Sequence, residues 1–272
     1  MKVNRLLQTS FMATSMLAAG LAIAETPSPL SAHGALLRCE AKLTACKATK
    51  QTFPASGQTT CWDASGATID CADTGQDGDV QAGAELSYTD NGDGTITDRN
   101  TKLTWEKKDF NNAGGIHDKN ILYTWAASFE FIRTLNNSCD GYGMTSCTED
   151  SECGAGSTCG FAGFRDWRLP NVKELQSILN YEVIQTPAAS PPMVHTAFNT
   201  ACVPGCTLVE CSCTANFEDL AGTNRYWSST TFPSSIAAYS VDFQAGIITD
   251  TSKPSEFRVR AVRGVTIKGI AR

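Results

Sequence analysis

The chain has 272 residues, and its 22 basic and 28 acidic side chains give a formal net charge of -6 at pH 7. This acidic balance argues against a nucleic-acid partner, because proteins hold DNA and RNA largely through cations that neutralise phosphates. The chain has 12 cysteines, an even number that points to disulfides in an oxidising compartment. No pair has the C-x-x-C spacing of a zinc knuckle or a thioredoxin motif, which disfavours structural zinc.

Residues 1–24 have the pattern of a secretory signal peptide. A basic start is followed by an apolar run of small residues that ends in Ala-Ile-Ala before Glu25. The alternative, a membrane anchor, is disfavoured because polar residues interrupt the run. Cleavage removes Lys2 and Arg5, which leaves 20 basic and 28 acidic side chains and a formal charge of -8. The mature protein is predicted to be exported, to the periplasm, the cell surface or the medium.

Residues 25–56 are predicted to form a linker that contains one short helix. Two leucines and two cysteines between residues 36 and 46 alternate at spacings of three and four, as on one face of a coiled-coil helix. Cys39 and Cys46 would lie roughly 10 Å apart along that helix, too far to bridge each other. They are expected either to lock a homo-oligomer or to pair within the chain, and both alternatives stay open.

The other cysteines fall into one predicted hairpin and two insertions. Cys61 and Cys71 flank a turn signal, which predicts a hairpin with a disulfide across it. The insertion at about 138–160 has almost no hydrophobic residues, so two internal disulfides are expected to hold it. The connectivity of the second insertion, at about 200–214, stays open. The cysteines are Cys139, Cys147, Cys153 and Cys159 in the first insertion, and Cys202, Cys206, Cys211 and Cys213 in the second.

Two acidic loops are candidates for calcium binding. Each combines several carboxylates with glycine, and calcium prefers carboxylate and carbonyl oxygens on such loops. Neither loop matches the full calcium-binding loop with its closing Glu. The alternative for the second loop is a glycine-containing turn between strands at 86–88 and 95–97. The candidate ligands are Asp73, Asp77 and Asp79 in the first loop and Asp90, Asp93 and Asp98 in the second.

Two amphipathic helices are predicted. Thr124 is placed to cap a helix that runs to about Asn136. Pro170 and Asn171 begin the second helix, in which Glu174 completes a capping box. Apolar residues recur in both at the spacing of one helical face, so both helices are expected to pack on a core. These residues are Trp125, Phe129, Ile132 and Leu135 in the first helix, and Leu175, Ile178 and Leu179 in the second.

The C-terminal part of the chain has the pattern of β-strands. In its last segment Phe257, Val259 and Ala261 share one face, and Arg258 and Arg260 share the other. Helices followed by a run of strands are compatible with an α+β fold. The four strand segments are 226–230, 238–243, 247–251 and 257–263.

Eight residues are predicted to form a ligand-binding surface. Two aromatic residues followed by two serines offer a flat face and hydroxyls for a sugar, whose oxygens nearby arginines would fix. The alternatives are a buried tryptophan and arginines that pair with acidic groups. An enzyme is disfavoured, because the three histidines are scattered and no nucleophile motif adjoins them. The predicted surface consists of Arg165, Arg168, Tyr226, Trp227, Ser228, Ser229, Arg258 and Arg260.

Five sequence words occur in a fixed order along the chain. They are GQDGD at 75–79, YTDNGDGTITD at 88–98, DWRLPNVKELQSI at 166–178, YWSSTT at 226–231 and FRVRAVRG at 257–264. Together they resemble the Lcl C-terminal domain family, which is found at the end of bacterial collagen-like adhesins. The resemblance covers about residues 57–264 and leaves 265–272 as a tail.

The resemblance implies a C-type-lectin-like fold with two main helices, a mostly antiparallel sheet and disulfide-stapled insertions, in which an early strand pairs with the last. It also implies binding of glycosaminoglycans or other polysaccharides in adhesion. The E-P-N and W-N-D words of calcium-dependent lectins are missing, so that sugar site is not implied. The negative charge disfavours a heparin-like polyanion except at a local basic patch.

The expected function is therefore an exported envelope or surface module that binds a polysaccharide, without a cofactor other than calcium. One alternative is a disulfide-stapled envelope protein that binds no ligand. The other is an enzyme related to formylglycine-generating enzymes, which share the implied fold distantly.

Overall fold

The computed structural model describes residues 53–109, 115–141, 143–182, 193–199, 213–214, 224–233 and 236–264. These residues form a mixed α and β fold with few helices, antiparallel sheets and disulfides. None of the described helices is long and apolar enough to cross a bilayer. The predicted signal peptide at 1–24, the helix with Cys39 and Cys46, and the tail at 265–272 lie outside the described residues.

The described elements are three α-helices, three short 3₁₀-helices and eleven short strands. The helices are α1 (Asp77–Val80), α2 (Trp125–Asn136) and α3 (Val172–Gln176). The strands are β1 (Cys61–Trp62), β2 (Thr68–Ile69), β3 (Tyr88–Asp90), β4 (Thr95–Asp98), β5 (Thr104–Glu106), β6 (Tyr123–Thr124), β7 (Arg225–Thr231), β8 (Ala237–Asp242), β9 (Ile247–Ser252), β10 (Glu256–Phe257) and β11 (Val262–Arg263).

Helix α2 forms as predicted. The Thr124 hydroxyl accepts a hydrogen bond from the Ala127 backbone N–H at 3.2 Å and so caps the first turn. Ile132 and Leu135 are buried, whereas Trp125 and Phe129 are only partly buried. The helix therefore packs on the core through its C-terminal half, with its two N-terminal aromatic residues at the edge of the contact.

Helix α3 begins as predicted and ends earlier than predicted. The Asn171 side chain accepts from Lys173 N and Glu174 N, and the Glu174 carboxylate accepts from Asn171 N, which completes the capping box. The prediction that the helix continues through Ile178 and Leu179 is wrong. Both side chains are buried, but the chain has left the helix, and Asn180 N donates to the Met193 carbonyl at 2.9 Å.

A four-stranded antiparallel sheet, ordered β11-β5-β4-β3, joins an early part of the domain to its end. β3 and β4 form a hairpin in which Tyr88 pairs with Asp98. β5 pairs with β4 on one side and with β11 on the other, where Trp105 lies opposite Val262. The expected pairing of an early strand with the last one is present.

A second sheet, ordered β7-β8-β9, separates two apolar clusters. Neighbouring side chains of a strand point to opposite faces, so Tyr226 enters one cluster and Trp227 the other. The other edge of β7 bonds to the last segment of the chain, since Trp227 N donates to the Arg258 carbonyl at 3.0 Å. β7 is therefore covered on both faces and bonded along both edges.

Three disulfides are fully described. Cys61 bridges Cys71 across the β1–β2 hairpin, as predicted. The first insertion holds two internal bridges, Cys139–Cys153 and Cys147–Cys159, which gives the connectivity that the sequence left open. Cys213 is also disulfide-bonded. Cys202, Cys206 and Cys211 lie outside the described residues.

The described domain begins before the predicted boundary at residue 57. Ala55 N donates to the Ala84 carbonyl at 2.8 Å, and Ala84 N donates to the Phe53 carbonyl at the same distance. Tyr181 N donates to the Ser56 carbonyl at 2.8 Å. Residues 53–56, which the sequence assigned to the linker, are thus bonded to two distant parts of the fold.

Candidate functional site

The aromatic part of the predicted ligand surface is buried. Tyr226, Trp227 and Ser228 each have 0% of their surface exposed. The side chain of each also donates a hydrogen bond to a backbone carbonyl inside the domain. Tyr226 Oη donates to Thr214 O, Trp227 Nε1 to Tyr123 O and Ser228 Oγ to Tyr239 O, at 2.7 to 2.8 Å. The prediction of an exposed aromatic platform is therefore wrong, because β7 lies between the two apolar clusters. Ser229 is half-buried, and its backbone N–H donates to Pro170 O.

The two arginines of the last segment are also buried. Phe257, Val259 and Ala261 enter one apolar cluster, as the alternation predicted, and Arg258 and Arg260 point the other way. Their guanidinium groups bind carbonyl, amide and hydroxyl oxygens inside the domain. Arg258 donates to Lys119 O and Asn224 Oδ1, and Arg260 donates to Glu106 O and Thr214 Oγ1. Arg260 also lies over the rings of Phe198 and Tyr226. These residues hold the fold together and are not accessible to a polysaccharide.

Glu106 is the centre of a buried polar cluster that the sequence analysis missed. Its Oε1 accepts from Lys108 Nζ at 2.7 Å and lies 2.8 Å from His117 Nδ1, and its Oε2 accepts from Ala261 N at 2.9 Å. Burial alone would raise the pKa of Glu106, but the Lys108 charge and the His117 hydrogen bond outweigh it, so the pKa is lowered. Glu106 thereby ties β5 to the final segment. The one signal for this cluster in the sequence is that the charged Glu106 directly follows Trp105 in β5.

Arg165 is exposed and Arg168 is half-buried, and other groups already bind both. Both terminal nitrogens of Arg168 donate to the Glu174 carboxylate, at 2.7 and 2.6 Å. Arg165 donates to the carbonyl oxygens of Asn136 and Thr148 and so braces the first insertion against α2. The structure thus leaves only Arg165, Arg168 and the half-buried Ser229 of the predicted surface outside the core, because its two aromatic residues, its first serine and its last two arginines are buried.

The acidic loops use their carboxylates locally. Asp90 pairs with Lys107, Asp93 accepts from Thr95, and the buried Asp98 accepts from Asn100 N at 2.8 Å. These bonds match the alternative of a turn between two strands. In the first loop Asp79 accepts from Gly75 N and Asp77 accepts from the Ser56 hydroxyl, while Asp73 adopts a positive φ of 61°.

Within the described ranges, the sole group of three or more potential metal ligands with atoms close to one another is Cys139, Cys147 and Cys153. All three are in disulfides. The carboxylates of the two acidic loops therefore do not converge on one point in the described residues.

Two open clefts lie beside the segment 53–59. The first, which we call the aromatic cleft, has a volume of about 340 Å³ and is lined by Phe53, Pro54, Lys173, Gln176, Ser177 and Tyr181. The second, the amide cleft, has a volume of about 310 Å³ and is lined by Gln58, Thr59, Gln81, Glu85, Asn180 and His195. Ala55 lines both, so the two clefts are neighbours on one face of the domain.

The segment between the clefts is held firmly. The Glu182 carboxylate accepts from Thr59 N at 2.7 Å and Thr60 N at 3.1 Å, and hydrogen bonds to these two threonines lower its pKa although burial opposes the shift. Gly57 has a φ of 86°, and a Cβ there would lie 2.4 Å from Asn180 Oδ1. Glycine is required at this position by both the backbone conformation and the close approach.

Each cleft presents an exposed or partly exposed ring. Phe53 is 82% exposed, the largest value for any phenylalanine among the exposed hydrophobic residues of the described chain. Tyr181 is partly buried, and its hydroxyl donates to Gly246 O at 3.2 Å. In the amide cleft His195 Nδ1 accepts from Ala197 N at 3.1 Å, so the neutral ring carries its proton on Nε2. Burial lowers the pKa of His195, which keeps the ring uncharged at neutral pH.

Residues 94–263, more than half of the chain, match the family model of the Lcl C-terminal domain. The chain belongs to the Lcl C-terminal domain family. No curated protein matches it. Membership places the protein among bacterial surface-associated domains.

The Lcl C-terminal domain match covers only part of the paired clefts. Lys173, Asn180, Tyr181 and His195 lie inside the matched region, whereas the segment 53–59 precedes it. In this Lcl C-terminal domain, one wall of each cleft is therefore built by residues outside the family match. Sequence reasoning missed the clefts because the segment's partners, Ala84 and Tyr181, are far away in the chain and its own composition is that of a linker.

Proposed function

We propose that this protein is an exported bacterial surface module that binds a polysaccharide in adhesion, and that it is not an enzyme. The observation that carries the proposal is the pair of clefts beside the segment 53–59, in which exposed ring surface and amide groups lie next to each other. We further propose that the domain has a C-type-lectin-like fold, in keeping with its mixed α and β elements and its early-to-last strand pairing.

A sugar ring suits this surface for two physical reasons. Its C–H face is apolar and packs on an aromatic ring, as offered by Phe53 and Tyr181. Its hydroxyls both donate and accept hydrogen bonds, which match the amides of Gln58 and Asn180 in the neighbouring cleft. The described polar cluster at Glu106 is buried and so is less suited to an enzyme's substrate than the open clefts are to a ligand.

The proposal is tested by replacing Phe53 with alanine. Phe53→Ala removes an exposed ring, so the fold should persist. The affinity for the polysaccharide, measured by retardation of the protein in native gels that contain it, should fall about tenfold. Phe232→Ala, at a second exposed phenylalanine away from the clefts, is the matched control and should bind as the parent does. Failure of the parent to bind any polysaccharide in a broad panel would instead favour a structural envelope protein.

Two expectations stay predictions from the sequence. Calcium binding at the acidic loops predicts that EDTA lowers the melting temperature, and an unchanged melt would contradict it.

A homo-oligomer linked through Cys39 and Cys46 predicts a non-reducing gel band of higher mass that is lost on reduction.

A further inference from the structure

We infer that the paired clefts take an uncharged polysaccharide, with hydroxyl and amide substituents rather than sulfate or carboxylate groups. This inference rests on the proposed polysaccharide binding and adds the chemical class of the ligand. It concerns the aromatic and amide clefts alone.

The charges that line the clefts carry the inference. Among the described lining residues, Lys173 is the one cation, at the aromatic cleft, and Glu85 is the one carboxylate, at the amide cleft. The Glu182 carboxylate is bonded to Thr59 directly beside the amide cleft. A sulfated chain needs a row of cations to offset the loss of hydration of its anionic groups, and these walls do not supply one.

Two partly exposed arginines elsewhere, Arg168 and Arg263, are already paired with carboxylates. Arg168 binds Glu174 through two hydrogen bonds, and Arg263 binds Asp166 in the same way while it lies 3.5 Å from the centre of the Phe164 ring. A polyanion that bound at either arginine would have to displace a carboxylate already held at short distance. The formal charge of the whole chain, -6, opposes long-range attraction of a polyanion as well.

The polar groups of the amide cleft are neutral donors and acceptors. Asn180 uses its Oδ1 to accept from Glu182 N at 3.0 Å, and its NH₂ group is of the donor type that sugar hydroxyls and acetamido carbonyls accept from. His195 is held as the Nε2–H tautomer by the bond from Ala197 N. Neutral hydrogen bonds of this kind recognise hydroxyls and amides, and their strength depends little on ionic strength.

The extent of the two clefts favours a polymer over a single sugar. Each has a volume near the lower end of the range for small-molecule sites, about 300 Å³. Because Ala55 lines both, a ligand that fills both clefts must extend across the segment 53–59. Several linked sugars satisfy this requirement.

The test is affinity electrophoresis or titration of the full-length mature protein with two sets of probes at low and high salt. Dextran, soluble β-glucan, galactomannan and glycol chitin are the uncharged probes, and heparin and hyaluronan are the anionic ones. We expect binding to at least one uncharged probe that is unchanged by salt, a loss of about tenfold with Phe53→Ala and a loss of several fold with Gln58→Ala. Lys102→Gln, at an exposed cation outside both clefts, is the matched charge control and should stay within about twofold of the parent.

The outcomes separate the inference from the proposed function. Binding confined to heparin or hyaluronan, weakened by salt and by Lys173→Ala, overturns the inference and leaves polysaccharide binding standing. Binding to an uncharged probe that both Phe53→Ala and Gln58→Ala leave intact overturns the placement of the ligand in these clefts. If the protein binds none of the probes, both the inference and the proposed polysaccharide binding are overturned.

Discussion

At the scale of single residues, the buried carboxylate of Glu106 offsets the charge of a buried lysine. It is fully buried and bonded to Lys108, to the backbone N–H of Ala261 and to His117. The carboxylate is thus the acceptor that compensates an ammonium group removed from water. Loss of one member of such a buried pair is costly because the desolvation of the other is no longer offset.

Glu106→Gln should therefore lower the free energy of unfolding by about 3 to 5 kcal/mol in urea titrations at neutral pH. Glu130→Gln is the matched control, because Glu130 pairs with Arg133 on the exposed side of α2, with more than half of both side chains accessible. An exposed pair of this kind contributes at most about 1 kcal/mol. Equal losses of unfolding free energy in the two variants would show that the buried pair stabilises the fold no more than the exposed pair does.

The same residue gives a pH dependence with a defined sign. The pKa of Glu106 is lowered from 4.5 in the folded protein, so its stabilisation is present above about pH 4.5 and is lost as the pH falls through the folded-state value. The stability difference between the parent and Glu106→Gln should shrink on acidification in that range. A difference that grows below pH 4.5 would contradict the assignment.

At the scale of elements, the start of α3 is the part that the sequence predicted most fully. Asn171 and Glu174 lie next to each other in the chain, and their reciprocal hydrogen bonds need no distant partner. The end of α3 was predicted wrongly, because Ile178 and Leu179 are buried through contacts with a distant segment and not through the helix. A periodic apolar pattern reports burial more reliably than it reports helix length.

Asn171→Ala should destabilise the domain by about 1 kcal/mol, the usual value of an N-cap. Leu175→Ala, at a fully buried position, should cost about 2 to 5 kcal/mol. Urea titrations of the two variants measure both values. Small and equal losses would mean that α3 does not contribute a packed side chain to the core.

At the scale of the whole molecule, disulfides hold the parts that lack apolar residues. The first insertion has two internal bridges and the β1–β2 hairpin has one, and Cys213 is in a further disulfide. Each bridge restricts the unfolded chain, which adds stability where burial cannot. This organisation is consistent with the predicted export.

All 12 cysteines are expected to be paired in the exported protein, as six disulfides. Alkylation before reduction should leave the intact mass unchanged, and alkylation after reduction should label every cysteine. Four or more cysteines labelled without reduction would contradict the prediction. Peptide mapping that failed to recover Cys139–Cys153 and Cys147–Cys159 would contradict the described connectivity.

The sequence by itself determined the features that depend on neighbours in the chain. The Thr124 and Asn171 caps, the β3–β4 hairpin, the Cys61–Cys71 bridge and the alternation along residues 257–261 all follow from short-range spacing and side-chain chemistry. The family words also lie in the chain itself, and they led to the family that the comparison shows.

Only the tertiary structure decided which of these residues are accessible. Trp227 and Arg260 are residue types that often bind sugars. Both are buried here, because β7 and the last segment lie between two apolar clusters. The segment 53–59 has the composition of a linker, but it pairs with Ala84 and Tyr181 and so forms a wall of two clefts. Burial is a property of the assembled fold, because it depends on contacts between residues that are far apart in the chain.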